Sequence, residues 1–93
     1  MKKVIVRTYS DGFFYGELKS RNGREVVLLN ARRLWYWSGA ASLSQLAMEG
    51  VKNPDECKFL CPVNVVELLE AIEILDTTEE AQHSIENVKI WEV

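Results

Sequence analysis

The residues best suited to chemistry lie in one run, Arg32-Arg33-Leu34-Trp35-Tyr36-Trp37-Ser38-Gly39-Ala40-Ala41-Ser42. An Arg pair offers planar forks that can clamp a phosphate in two-point fashion. Trp35, Tyr36 and Trp37 have faces on which a base could stack. Ser38, Gly39, Ala40 and Ala41 are small enough to let a ligand approach the backbone. A helix that starts at Ser42 would point free N–H groups at an anion. Together these are the parts of a nucleotide site, and the candidate ligand residues are Arg32, Arg33, Tyr36, Ser38, Gly39 and Ser42. Trp35 and Trp37 are left out because bulky indoles on a strand are expected in the core, with the arginines covering sheet surface with their stems.

Catalysis asks for a nucleophile with a base, a metal cluster, or paired carboxylates in a pocket. The chain has one histidine, His83, which falls on the exposed side of a helix pattern and has no nucleophile motif near it. Cys57 and Cys61 lack the further ligands that a four-coordinate zinc needs, and they read as small, partly buried residues. There is no Gly-rich phosphate loop and no Ser-elbow motif. The expectation is a protein that is not an enzyme and carries no cofactor or metal.

The totals bound the rest. Ninety-three residues make a single domain, 1–93. A composition of 47% hydrophobic and 27% charged residues fits a globular chain and not a disordered one. The net charge of −3 disfavours non-specific coating of nucleic acid. The opening Met1-Lys2-Lys3-Val4-Ile5-Val6-Arg7 has too short an apolar run for a signal peptide. No stretch approaches the roughly 18 to 20 apolar residues of a membrane span. A cytoplasmic location and no membrane partner are expected.

The elements that must position the run follow from its surroundings. Lys3 to Ser10 is rich in β-branched residues and reads as a strand. Asp11-Gly12 turns it into a second strand, Phe13 to Arg21, in which Gly16 suggests a bulge or a close backbone approach. Asn22-Gly23 marks a two-residue hairpin into a third strand from Glu25, apolar on both sides and so central. That strand, kinked near Asn30-Ala31, carries the run. If it stays extended, Arg32, Leu34 and Tyr36 point one way and Arg33, Trp35 and Trp37 the other.

Ser42 to Met48 is a short helix, with Ser42 and Gln45 as a capping box and Gly50 as its C-terminal stop. Cys57 to Asn64 reads as an extended segment that Pro62 places at an edge or bulge. Val65 to Leu75 fits a helical stripe and a strand face about equally. Thr77-Thr78-Glu79-Glu80-Ala81 opens a second helix, with a hydroxyl cap and acids in the first turn. Ile90-Trp91-Glu92-Val93 closes as a short strand or packed tail. The fold class is α+β: a mainly antiparallel sheet in the order β-β-β-α-β-β-α-β, with two short helices.

The signature Arg-Arg-Leu-Trp-Tyr-Trp-x-Gly-Ala-x-Ser-Leu-x-Gln-Leu-Ala, from Arg32 to Ala47, resembles a family of short proteins of tailed phages and prophages. The likeness continues through Pro54 to Phe59, Glu70 to Ile74, Thr78 to Ala81, Ser84-Ile85 and Trp91. The family is catalogued as a domain of unknown function, so it implies a phage origin and assigns no site residue. It also implies a strand over Leu69 to Leu75. For a phage protein, the nucleotide reading takes a concrete form: counter-defence by sequestering a nucleotide-type signal in the host cytoplasm. Two alternatives stand beside it. One is inhibition of a host protein, by an aromatic patch or an acidic face that mimics nucleic acid, with homo-oligomerisation through the same patch. The other is single-stranded nucleic-acid binding, which the acidic balance makes the weakest.

Overall fold

A computed structural model describes all residues, 1–93. Strands β1 (Lys3–Thr8), β2 (Phe13–Asn22) and β3 (Glu25–Tyr36) form the expected antiparallel meander. Helix α1 (Leu43–Glu49) follows, then a single 3-10 turn at Pro54–Glu56. Strands β4 (Lys58–Phe59), β5 (Val63–Leu68) and β6 (Ala71–Asp76) and helix α2 (Glu79–Glu86) complete the chain. All six strands belong to one antiparallel sheet, so the α+β reading holds.

The strand implied over Leu69 to Leu75 is present as β6, from Ala71 on, and the helical alternative falls away. Val65 to Leu75 as a whole is nonetheless not one strand. It is the end of β5, a corner at Leu69-Glu70, and β6. Periodicity could not separate these readings, because the corner changes which side chains face inward. The tail, expected as a strand, makes only an isolated parallel bridge from Ile90 to Phe59.

The strand order is β6-β1-β2-β3, with β5 and β4 both on the far side of β3. Strands β5 and β6 therefore sit at opposite ends of the order, yet only Leu69 and Glu70 separate them. Three Cα steps reach at most about 11 Å. The sheet must coil until its ends meet at that corner. The Ala71 N–H donates to the Arg24 carbonyl at 3.0 Å and the Tyr9 N–H to the Glu70 carbonyl at 2.9 Å, which fastens the corner to the β2–β3 hairpin and to the end of β1.

Coiling gives the sheet an inside and an outside, and each has a core. Val4, Val6, Phe14, Val26, Leu28, Ala31, Leu68 and Ala71 fill the inside, with all five long strands contributing. On the outside Ile5, Tyr15, Leu34 and Phe59 pack beneath Leu46 and Ala47 of α1 and Ile85 of α2. Alternation along β1 sends Val4 and Val6 in and Ile5 out.

The parity of β3 changes midway. Val26 and Leu28 face in, then Ala31, while Leu34 faces out. Asn30 is the cause, with a left-handed φ of 49° where the β2–β3 register slips between Tyr15 and Glu17. Asparagine tolerates that conformation better than most residues. This bulge decides where each arginine of the run points.

Candidate functional site

The run begins just past the bulge, and its two arginines face opposite sides of β3. Arg32 falls on the outer face and is 4% exposed. Its Nε donates to the Leu60 carbonyl at 2.9 Å, Nη1 to the Ile85 carbonyl at 2.8 Å and Nη2 to the Phe59 carbonyl at 3.0 Å. The guanidinium also lies 5.6 Å from the Phe59 ring centroid. Burial pulls its pKa down from the ordinary value. All three nitrogens are thus engaged in joining β3 to the β4 segment and to the C-terminal turn of α2, where a cation suits the helix dipole. Arg32 is an internal tie, not a free clamp.

Arg33 points the other way and is exposed. Its guanidinium sits 4.6 Å from the Phe14 ring centroid, and no carboxylate pairs with it. Trp35, two residues on, is 64% exposed. The core position expected for Trp35 is therefore corrected: the ladder with β2 ends at Arg33, only the short β4 still pairs with β3 there, and the indole stays largely in water. Trp37 is half-buried and meets Phe13 edge-on, with ring centroids 5.1 Å apart. Tyr36 is exposed on the opposite face.

The small-residue loop is closed, not open. The Ser38 hydroxyl donates to Glu56 at 3.2 Å and accepts from the Asn53 amide at 3.1 Å. The Gly39 carbonyl accepts from the Lys52 N–H at 3.2 Å. Gly39 has φ +90°, and a Cβ there would stand 2.5 Å from the Lys52 nitrogen. Its bareness accommodates the Lys52 backbone. Ser42 caps α1 by accepting the Gln45 N–H at 3.1 Å, and the Gln45 side chain takes the Ala41 N–H at 2.8 Å. The six candidate residues therefore do not converge. Arg32 lines one cavity, Arg33 lines another, and Tyr36, Ser38, Gly39 and Ser42 line neither.

The cavity under Arg32 encloses about 290 Å³ between the N-terminal end of β1, the bulge and the end of α2. Lys3 donates to Glu86 at 2.8 Å, and the Tyr15 hydroxyl donates to the same Glu86 oxygen at 2.5 Å. Burial first, then the hydrogen bond to Glu86, drives the Tyr15 pKa well above that of an ordinary phenol. Burial pushes the Glu86 carboxyl up, but the bonds from Lys3 and Tyr15 outweigh it and the net pKa is lowered. The Glu86 bond raises the Lys3 pKa. Sequence reading missed Lys3, Tyr15 and Glu86, which lie up to 83 positions apart.

The second cavity, about 340 Å³, is a groove between the β1–β2 turn and the end of β3, bordered by Asp11, Phe13, Arg33 and Trp35. No group of three or more His, Cys, Asp or Glu side chains converges as a metal site. Cys57 is buried, and burial raises its thiol pKa; Cys61 is exposed. No helix is long and apolar enough to cross a membrane.

A model of DUF6948, a domain of unknown function, matches residues 1–85. The chain belongs to that family. The match takes in the whole sheet and nearly all of α2, and so both cavities except for their walls at Glu86, Val88 and Ile90. No curated protein and no solved structure matches the chain.

Proposed function

We propose that this DUF6948 domain is a non-catalytic binding domain whose partner is a protein. One observation carries the reading: Trp35 is 64% exposed, beside the unpaired, exposed Arg33. Tryptophan, tyrosine and arginine supply most of the energy in protein interfaces. An indole left in water at the end of a strand costs about 1.5–3 kcal/mol of burial not realised. A partner's pocket would recover that cost. Tyr36, 51% exposed on the other face of the same strand end, extends the surface. The phage origin that the signature implies makes the partner a host protein in the bacterial cytoplasm, bound as an act of counter-defence.

A nucleotide is the second reading, favoured by the groove beside Arg33 and Trp35. It moves the ligand from the Ser38–Ser42 loop, whose polar groups are engaged internally, to an exposed arginine and an exposed indole.

One set of variants separates the two. Immobilised protein should retain one stoichiometric partner from host lysate, and Trp35→Ala and Arg33→Ala should each lose it without change in melting temperature. An empty pull-down sinks the protein reading. A melting shift with mono-, di- or cyclic nucleotides that Arg33→Ala removes transfers the assignment to the nucleotide. A second copy of the chain retained in a Trp35-dependent way makes the partner the protein itself.

A further inference from the structure

Strand β5 pairs with β3 alone, in unbroken register from Val26–Leu68 to Ala31–Val63, and no strand lies along its far edge. In an antiparallel strand every second residue turns its N–H and C=O away from the neighbour it pairs with. Outside the ladder with β3, no backbone bond reaches Val63 to Leu68. The strand therefore shows a row of unpaired backbone groups to water.

The opposite end of the sheet is better defended. The Ala71 N–H of β6 is bonded to the Arg24 carbonyl, and Glu73 and Asp76 are ion-paired with Arg7 and Lys2. Lysines, prolines and bulges are the usual guards of an open edge. Val63-Asn64-Val65-Val66-Glu67-Leu68 contains no lysine and no proline.

The outer face beside this edge is bare as well. Val66 and Leu68 pack on the inner core, so alternation puts Val65 and Glu67 outside, opposite Leu29 and Val27 of β3. The helices cover the outer face over Ile5, Tyr15, Leu34 and Phe59, and leave Val65 56% exposed.

We propose that β5 is a self-association edge: a second copy of this chain adds its own β5 antiparallel to it, about a two-fold axis at Val65. The strand is complementary to itself in that register. Each copy offers the same open ladder, and Leu29 and Val65 of one copy continue into Val65 and Leu29 of the other. The two Glu67 side chains stand four positions apart along the ladder, about 13 Å, which is beyond the screening length in ordinary salt. An axis at Glu67 would bring the carboxylates together, and one at Val66 would set each Glu67 against the partner's Val65. The edge shares no residue with the Arg33–Trp35 groove, so this proposal and the partner reading of that groove fail independently.

Sedimentation velocity of the full chain tests it. A six-residue ladder is a small contact, so the dimer should have a Kd on the order of 100 µM. Val65→Lys should leave the melting temperature of the monomer unchanged and weaken the dimer at least about tenfold, because two ammonium groups meet at the axis. Val65→Glu should do the same. An equimolar mixture of Val65→Lys and Val65→Glu should recover the dimer, since position 65 then meets its opposite charge across the axis. A chain that stays monomeric at about ten times the expected Kd would overturn the proposal. So would a Val65→Lys protein that dimerises like the parent, or a mixture that stays monomeric. A dimer lost with Trp35→Ala and kept with Val65→Lys would place the contact at the signature's end of β3 and overturn it too.

Discussion

Gly16 faces Ala31 across the β2–β3 ladder so closely that a Cβ on Gly16 would stand 3.1 Å from the Ala31 Cα and 3.0 Å from the Leu29 carbonyl oxygen. Both neighbours are backbone of the central strand, at the bulge that aims Arg32 outward. Neither can yield without moving β3. Gly16→Ala should therefore destabilise by about 1–3 kcal/mol, and Gly16→Val by more, read from the urea midpoint at unchanged slope. A Gly16→Ala protein as stable as the parent would show that the bulge is soft.

Arg32 should prove structural before anything else. Arg32→Leu strands the carbonyls of Phe59, Leu60 and Ile85 and should cost about 2–4 kcal/mol, after allowing for the relief of a buried charge. Arg32→Lys should rescue little, because one ammonium cannot reproduce the fork that reaches three carbonyls on two elements. Denaturant melts of the two variants check this. Full rescue by lysine would mean that charge matters here and geometry does not.

The two indoles of the signature should separate. Trp37→Ala removes the edge-on partner of Phe13 and should destabilise by about 2–4 kcal/mol. Trp35→Ala should stay within about 0.5 kcal/mol of the parent, as exposed positions do. Melting curves decide it, and a large loss at Trp35 would place that indole in a contact the fold does not show.

The Lys3–Glu86–Tyr15 network sets both pH limbs. The folded pKa of Glu86 is lowered, so its contribution is present above the ordinary value near 4.5 and is lost as pH falls through the folded value. Glu86→Gln should flatten the acid limb of stability. Lys3 and Tyr15 are raised in the fold. Their contribution is full below their ordinary values near 10.5 and 10 and declines as pH climbs past them. Tyr15→Phe should reduce that alkaline loss, and phenolate absorbance should show Tyr15 ionising above an ordinary phenol. An acid limb indifferent to Glu86→Gln would mean that the carboxylate is not held in the folded state.

Local chemistry was readable from the residues themselves. The turns of the meander were legible near Asp11-Gly12 and Asn22-Gly23, where the glycines at 12 and 23 take positive φ, but Asn22 ends β2 opposite Glu25 and the two-residue turn is Gly23-Arg24. Ser42 and Thr78 cap their helices because a hydroxyl beside a free N–H needs no distant partner. Gly16 was legible as a close approach, although what it approaches was not. The candidate site was legible as an inventory only. The φ of 49° at Asn30 sets Arg32 on the outer face, buried against Phe59 and Ile85, and leaves Arg33 and Trp35 in water. No propensity of Asn30-Ala31 announces which way a bulge will rotate the strand.

The sequence alone thus determined the class of the domain, its meander and its helix starts, because each depends on neighbours a few positions apart. The tertiary structure alone decided three things: that β5 and β6 meet at Leu69-Glu70 and coil the sheet, that Lys3, Tyr15, Arg32 and Glu86 wall one cavity, and that of two arginines already expected to face opposite ways it is Arg32 that is buried and Arg33 that is left in water. These depend on which distant backbone lies beside which. That is settled by closing the sheet around two cores at once, a condition on the whole chain that no short stretch of it contains.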